Sequence, residues 1–151
     1  MRPRYETADD RQRQREAVSY LSAATGTTAV ETPPLTRWDY EMVRDGRVLA
    51  LVEVKFRKCS SATYPTFMVS EGKATTLRDH AIASGCAGGF LVNWIDAAGW
   101  LRIDTLVPDG WSVGSGGRCD RGDPMDVERV VHFPIDEFRF IDRAAGAWLN
   151  A

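Results

Sequence analysis

The chain has 151 residues, 44% of them hydrophobic and 26% charged, and a formal net charge of −2. These are the proportions of an ordinary soluble globular protein long enough to bury one substantial core, and no apolar run approaches membrane-spanning length. Three widely spaced cysteines (59, 86 and 119) and two histidines leave neither a zinc-site pattern nor a disulfide framework, and no global basic field advertises nucleic-acid binding.

Met1-Arg2-Pro3-Arg4 leads into polar sequence rather than a signal-peptide hydrophobic region, so a cytoplasmic protein without membrane contact is expected. The basic residues are lopsided. Lys55, Lys58 and Lys73 are the only lysines, and five arginines fall within the first fifteen residues.

Thr7-Ala8-Asp9-Asp10 predicts a helix start, with Thr7 capping and Gly26 stopping the helix after about Ala24. Ala17, Leu21 and Ala24, flanked by Val18, form its core stripe, and Glu16 and Tyr20 lie at the edge of that stripe. Thr27 to Glu31 is β-branched and predicts a short strand. Thr32-Pro33-Pro34-Leu35 must be a loop, because adjacent prolines do not fit a sheet interior.

Residues 38 to 55 read as a hairpin turning at Asp45-Gly46. Glu53 and Lys55 close its second strand and share one face, about 6 to 7 Å apart. Charges at the end of a run as apolar as Val48-Leu49-Ala50-Leu51-Val52 are costly to bury unpaired. Register decides whether Asp39 joins them. A two-residue loop puts Asp39 opposite Val52, on the other face from Glu53. A three-residue loop of Arg44, Asp45 and Gly46, or a bulge of equal effect, puts Asp39 opposite Leu51 and diagonal to Glu53. The odd-length loop or its bulge equivalent is predicted.

Phe56 to Phe67 has no clear period and predicts a loop. Ser70-Glu71-Gly72-Lys73 starts a second helix that ends near Gly85, with Ala74, Leu77 and Ala81 facing the core. Gly88 to Trp94 predicts a buried strand, Asp96 to Gly99 a turn, and Trp100 to Asp104 an antiparallel return. Gly110 to Pro124 predicts a mobile loop, Arg129 to Phe133 a last strand, and Pro134 to Ala151 a short helical segment or irregular tail. The expected organisation is a single domain with a core of about residues 8–104 and a C-terminal extension over 105–151.

Asp39, thirteen intervening residues and then Glu53-Val54-Lys55, within the order helix, strand, hairpin, helix, strand, resembles the PD-(D/E)xK nuclease superfamily over roughly residues 8 to 94. Trp38-Asp39 replaces the hallmark Pro-Asp. The resemblance implies an α/β (α+β type) fold: a central mixed sheet flanked by helices, with a restriction-endonuclease-like αβββαβ core and extra C-terminal strands. It also implies a metal-dependent DNA endonuclease, resolvase-like in size, acting on branched or double-stranded DNA, with a homodimer expected from its relatives.

Mg²⁺ or Mn²⁺ is the implied cofactor, since hard cations take carboxylates, carbonyls and waters. Asp39, Glu53 and the Val54 carbonyl are the implied ligands, Lys55 the transition-state cation, and Glu16 an accessory acid. Each has a plain counterpart: a cross-strand salt bridge for the trio, and an exposed helix glutamate near Arg13 or Gln12 for Glu16. Lys73 matches a basic position that contacts the site or a phosphate. Arg57, Lys58 and Tyr64, just beyond the strand, are candidates for DNA backbone contact or ordinary surface. So are Arg118 and Arg121, in a glycine-rich stretch that could let backbone approach phosphate. Glu41, two residues after Asp39 and on its face, reads as an acid supporting the site or as simply solvated, with solvated favoured; His80 reads as a surface or packing residue, His132 as a satisfied strand residue, and Trp38 and Trp94 as core. The alternative to an enzyme is a catalytically inactive nucleic-acid-binding or protein-interaction module that kept the fold.

Overall fold

The computed structural model describes residues 8–106, 111–117 and 127–149. Helix α1 (Ala8–Thr25) stops where Gly26 adopts a φ of 65°, the left-handed conformation that ends a helix. Its Ala17, Val18 and Leu21 are buried, and Ala24 is half-buried. Strands β1 (Thr28–Glu31), β2 (Tyr40–Arg44) and β3 (Arg47–Phe56) follow as an antiparallel meander. Strand β4 (Thr66–Ser70) and helix α2 (Glu71–Ser84) then cross over to β5 (Ala87–Asn93), which returns parallel to β3.

Helix α2 carries both of its end signals. The Ser70 hydroxyl accepts the Lys73 amide at 3.3 Å, and Gly85 closes the other end at a φ of 69°. Its Ala74, Leu77 and Ala81 are completely buried. They seat close against β5 because residue 88 is glycine: a Cβ there would lie 2.6 Å from that of Ala81. Buried leucines of this kind contribute about 2–5 kcal/mol against truncation to alanine.

Strand β6 (Ala98–Arg102) pairs back on β5, and β9 (Arg139–Asp142) and β10 (Ala147–Trp148) extend the same sheet. The result is a seven-stranded mixed sheet in the order β1-β2-β3-β5-β6-β9-β10. A second, antiparallel sheet of order β4-β8-β7 is completed by β7 (Ser112–Gly117) and β8 (Val127–Pro134).

Three readings of the sequence are corrected here. The loop predicted over Phe56 to Phe67 gives way at Thr66 to the unpredicted strand β4, whose buried Phe67 and Val69 alternate with exposed Met68. The glycine-rich stretch predicted as a mobile loop includes β7, held by its pairing with β8. The described part of the tail predicted as helical or irregular is a 3-10 turn (Ile135–Glu137) followed by two strands that complete the main sheet. All three depend on partners far away in sequence, which local propensity cannot supply.

The main sheet is covered on both faces. Val52 and Val54 of β3 pack with Leu91 and α1 in one apolar cluster. Leu51 packs with Phe90, Val92, α2 and the inner face of the small sheet in the other. By alternation, Glu53 and Lys55 point to the side of α2.

Candidate active site

The hairpin fixes which acids meet. Asp45 and Gly46, at φ values of 53° and 73°, form a two-residue turn that pairs Arg44 with Arg47. Of the two predicted forms the three-residue loop is not adopted, and the bulge is. A register shift between Met42 and Val43 nevertheless leaves Leu49 as an extra residue on β3, and beyond it Met42 pairs with Ala50 and Tyr40 with Val52. Just before the paired residues Asp39 lines one cleft with Glu53, where Leu51 was the predicted neighbour.

Asp39 sits where β2 begins. Its amide donates to the Val52 carbonyl at 2.9 Å, and its carboxylate accepts the Val54 amide at 2.8 Å. The amide and carbonyl of one strand residue face the same edge, so the Val54 carbonyl is turned toward Asp39 as well.

Glu53 is 7% exposed. One of its oxygens lies 3.5 Å from the Lys55 Nζ and 4.0 Å from the Lys73 Nζ. The other, Oε2, is buried without a hydrogen-bond partner, a state shared among the described residues only by the Trp111 indole nitrogen. A buried carboxylate oxygen left like this is costly. Lys73, in the first turn of α2, has its pKa lowered chiefly by the Lys55 ammonium beside it and then by burial, with Glu53 opposing. A cleft of about 440 Å³ opens over the acids, lined by Thr36, Arg37, Asp39, Glu53, Ser70, Gly72, Lys73 and Thr76.

The structure thus brings Asp39, Glu53, Lys55 and Lys73 together, with the Val54 backbone. It does not gather Glu16 with them. Glu16 is exposed on α1, the helix covering the other face of the sheet, and no three His, Cys, Asp or Glu side chains cluster among the described residues. Arg57 is committed to the fold: its guanidinium donates to the Met68 carbonyl at 2.9 Å and stacks on Phe67, and burial lowers its pKa. Lys58 and Tyr64 are exposed beyond β3. Arg118 and Arg121 lie outside the described residues.

Glu41 is not simply solvated as read from the sequence. It is half-buried and accepts the Trp38 indole N–H at 3.0 Å, while His80 packs against the Trp38 ring at 5.1 Å. Trp94 is core, 4% exposed, whereas Trp38 is only partly buried. His132 is satisfied, with its Nδ1 3.1 Å from the Thr66 hydroxyl. Sequence reasoning missed Thr36 and Arg37. The signal available was their position directly before Trp38-Asp39, after a proline pair that ends β-structure.

Comparison with known proteins bears on the family and the fold. Residues 1–141 match the family described as phage putative PDDEXK endonuclease. The 1.6 Å structure of Hjc, a Holliday junction resolvase from the archaeal hyperthermophile Archaeoglobus fulgidus, superposes with a TM-score of 0.59 at 16% identity. That superposition covers 93% of this chain and 98% of Hjc, and makes the fold restriction-endonuclease-like. No curated protein matches the chain. No helix among the described residues is long and apolar enough to cross a membrane.

Proposed function

We propose that this chain, which belongs to the phage PDDEXK endonuclease family, is a metal-dependent DNA endonuclease whose catalytic groups are Asp39, Glu53 and Lys55. The observation that carries this reading is the buried, unpartnered Oε2 of Glu53 beside a second carboxylate. Two carboxylates and a strand carbonyl are the hard oxygen donors that Mg²⁺ or Mn²⁺ prefers. Asp39, Glu53 and the Val54 carbonyl would hold such an ion, which when bound supplies an acidified water and offsets charge on the phosphate.

The remaining work falls to the protein's own groups. The Val54 amide holds the Asp39 carboxylate in a fixed rotamer at 2.8 Å, so this acid is positioned before any ligand arrives. Lys55, tethered to the near oxygen of Glu53, aims a cation at the negative charge that builds as water adds to phosphorus and the bond to the leaving sugar oxygen breaks. Lys73 and Arg37 line the cleft and hold the flanking phosphate backbone, with Lys58 and Tyr64 farther along its path. The junction substrate named for Hjc makes branched DNA the first substrate to try. A homodimer would place two such sites on paired strands.

The test is cleavage of a four-way junction, a linear duplex and single-stranded DNA with Mg²⁺ or Mn²⁺. Wild type is expected to cut at least one of them, and Lys55→Ala to cut it about a thousandfold more slowly. If wild type and variant are equally inert on every substrate, the reading is wrong and a retained, inactive fold takes its place.

A further inference from the structure

The loop between β1 and Asp39 spends stability in two ways at one residue. Pro33, Pro34, Leu35 and Thr36 form a tight turn closed by the Thr36 amide on the Pro33 carbonyl at 3.2 Å. Proline at its second position and positive φ at its third are the marks of a type II turn, whose third position suits glycine. Here it is Leu35, at a φ of 73°. Among the described residues Asp45 is the only other non-glycine with positive φ, and aspartate tolerates that conformation where leucine does not.

Leu35 is also 88% exposed, more than any other large hydrophobic side chain described. The turn that carries it is anchored by hydrogen bonds. At its base the Thr32 amide donates to the Asp39 carbonyl at 3.0 Å and the Thr32 hydroxyl to the Trp38 carbonyl at 2.6 Å. A strained residue held this firmly, with its apolar side chain left in water, is what functional sites retain.

Position says what it meets. Thr36 and Arg37, next in the chain, line the cleft with Asp39, Glu53 and Lys73. A strand whose phosphate lies on those acids would run beside Thr36 and Arg37, and Leu35 is the next residue in the chain. Sugars and phosphates offer a leucine nothing, so the apolar surface within a nucleic acid's reach is the face of a base. Leucine is among the side chains that proteins drive between base steps. We propose that Leu35 is a wedge that inserts between bases next to the phosphate held at the site, so that steps which open easily, at branches and flexible sequences, are preferred. This rests on the nuclease reading and adds the substrate feature it would select.

The experiment places 2-aminopurine, whose fluorescence rises when it unstacks, at successive positions around the cut site of a junction and of the matching duplex. A Lys55→Ala background keeps the DNA intact. Fluorescence should rise beside the cleaved phosphate. Leu35→Gly should reduce that rise at least threefold or so, while affinity, set by phosphate contacts, changes by less than about threefold. Leu35→Met, a long apolar side chain, should restore most of the rise. Because glycine relieves the turn and no buried contact is lost, Tm should hold or climb by about 2 °C.

An undiminished rise in Leu35→Gly overturns the wedge. So does a Tm lowered by several degrees, which would make the leucine a fold contact, or a shifted monomer–dimer equilibrium in place of the fluorescence change, which would make a second copy its partner. Unstacking by a wild type that cuts no DNA would remove the nuclease reading and leave the wedge. Cutting without Leu35-dependent unstacking would do the reverse.

Discussion

Glu53 and Asp104 leave the same fraction of side chain exposed, 9% each, but the protein treats them differently. Asp104 is fully engaged. Arg102 grips both its oxygens, at 2.8 and 2.9 Å, and the Gly88 amide donates to it at 3.1 Å. Glu53 has two ammonium groups at 3.5 and 4.0 Å, both longer than a good charge-assisted hydrogen bond, and a buried oxygen with no partner. Burial alone therefore does not distinguish a structural acid from a working one; satisfaction does. A carboxylate that closes a fold is finished by its neighbours, whereas one that receives a ligand keeps part of its capacity unspent.

The two acids should differ most under substitution. Glu53→Gln should abolish cleavage, by about a thousandfold or more. It should also change the stability of the metal-free protein by less than about 1 kcal/mol, because relief of a poorly solvated charge offsets the lost attraction to the lysines. Wild type should gain thermal stability on adding Mn²⁺, and Glu53→Gln should not. A Glu53→Gln protein that unfolds several kcal/mol more easily would mean the glutamate is structural after all.

Asp104→Ala should behave in the opposite way. It leaves the buried Gly88 amide without an acceptor, at a cost of about 2 kcal/mol, while the cut rate of the folded fraction stays as it was. Burial would raise the Asp104 pKa, but the hydrogen bonds from Arg102 and the Gly88 amide outweigh it and hold the acid below the usual carboxylate range. The contribution is therefore complete above an unfolded pKa of about 4 and is lost as pH falls through the depressed native value. Urea midpoints measured downward from pH 5 should fall less steeply in Asp104→Ala than in wild type.

How much of this was legible depended on how local the cause was. Helix α2 could be read from Ser70 at one end, Gly85 at the other and Ala74, Leu77 and Ala81 between, since all these signals sit within a few turns. Strand β4 could not, because its partner β8 lies some sixty residues away and nothing in Thr66–Ser70 announces it. The hairpin lay between these cases. Parity reasoning required an odd residue somewhere if Asp39 and Glu53 were to share a face. The Asp45-Gly46 turn took the common two-residue form, and the odd residue is Leu49, opposite the step from Met42 to Val43. Arg57 and Glu41 had their fates set by the Met68 carbonyl and the Trp38 indole, so charge alone misdescribed both.

The smallest expected effect concerns Lys73, where the two sides of the comparison meet. A cation in the first turn of a helix opposes the helix dipole, and this one also sits beside the Lys55 ammonium, which lowers its pKa. Its ion pair with Glu53 is long, at 4.0 Å, and the side chain is half exposed. A structural lysine would not be kept on such terms, whereas a phosphate arriving in the cleft would supply the missing charge. Lys73→Gln should therefore leave Tm unchanged or slightly higher while slowing cleavage about tenfold. It should also make the logarithm of DNA affinity fall less steeply with the logarithm of salt, by a slope of roughly one. Lys73→Arg, which keeps the charge, should retain the wild-type slope. If Lys73→Gln cuts at the wild-type rate with the wild-type salt slope, this lysine is a bystander and the phosphate is held by Lys55 and Arg37 without it.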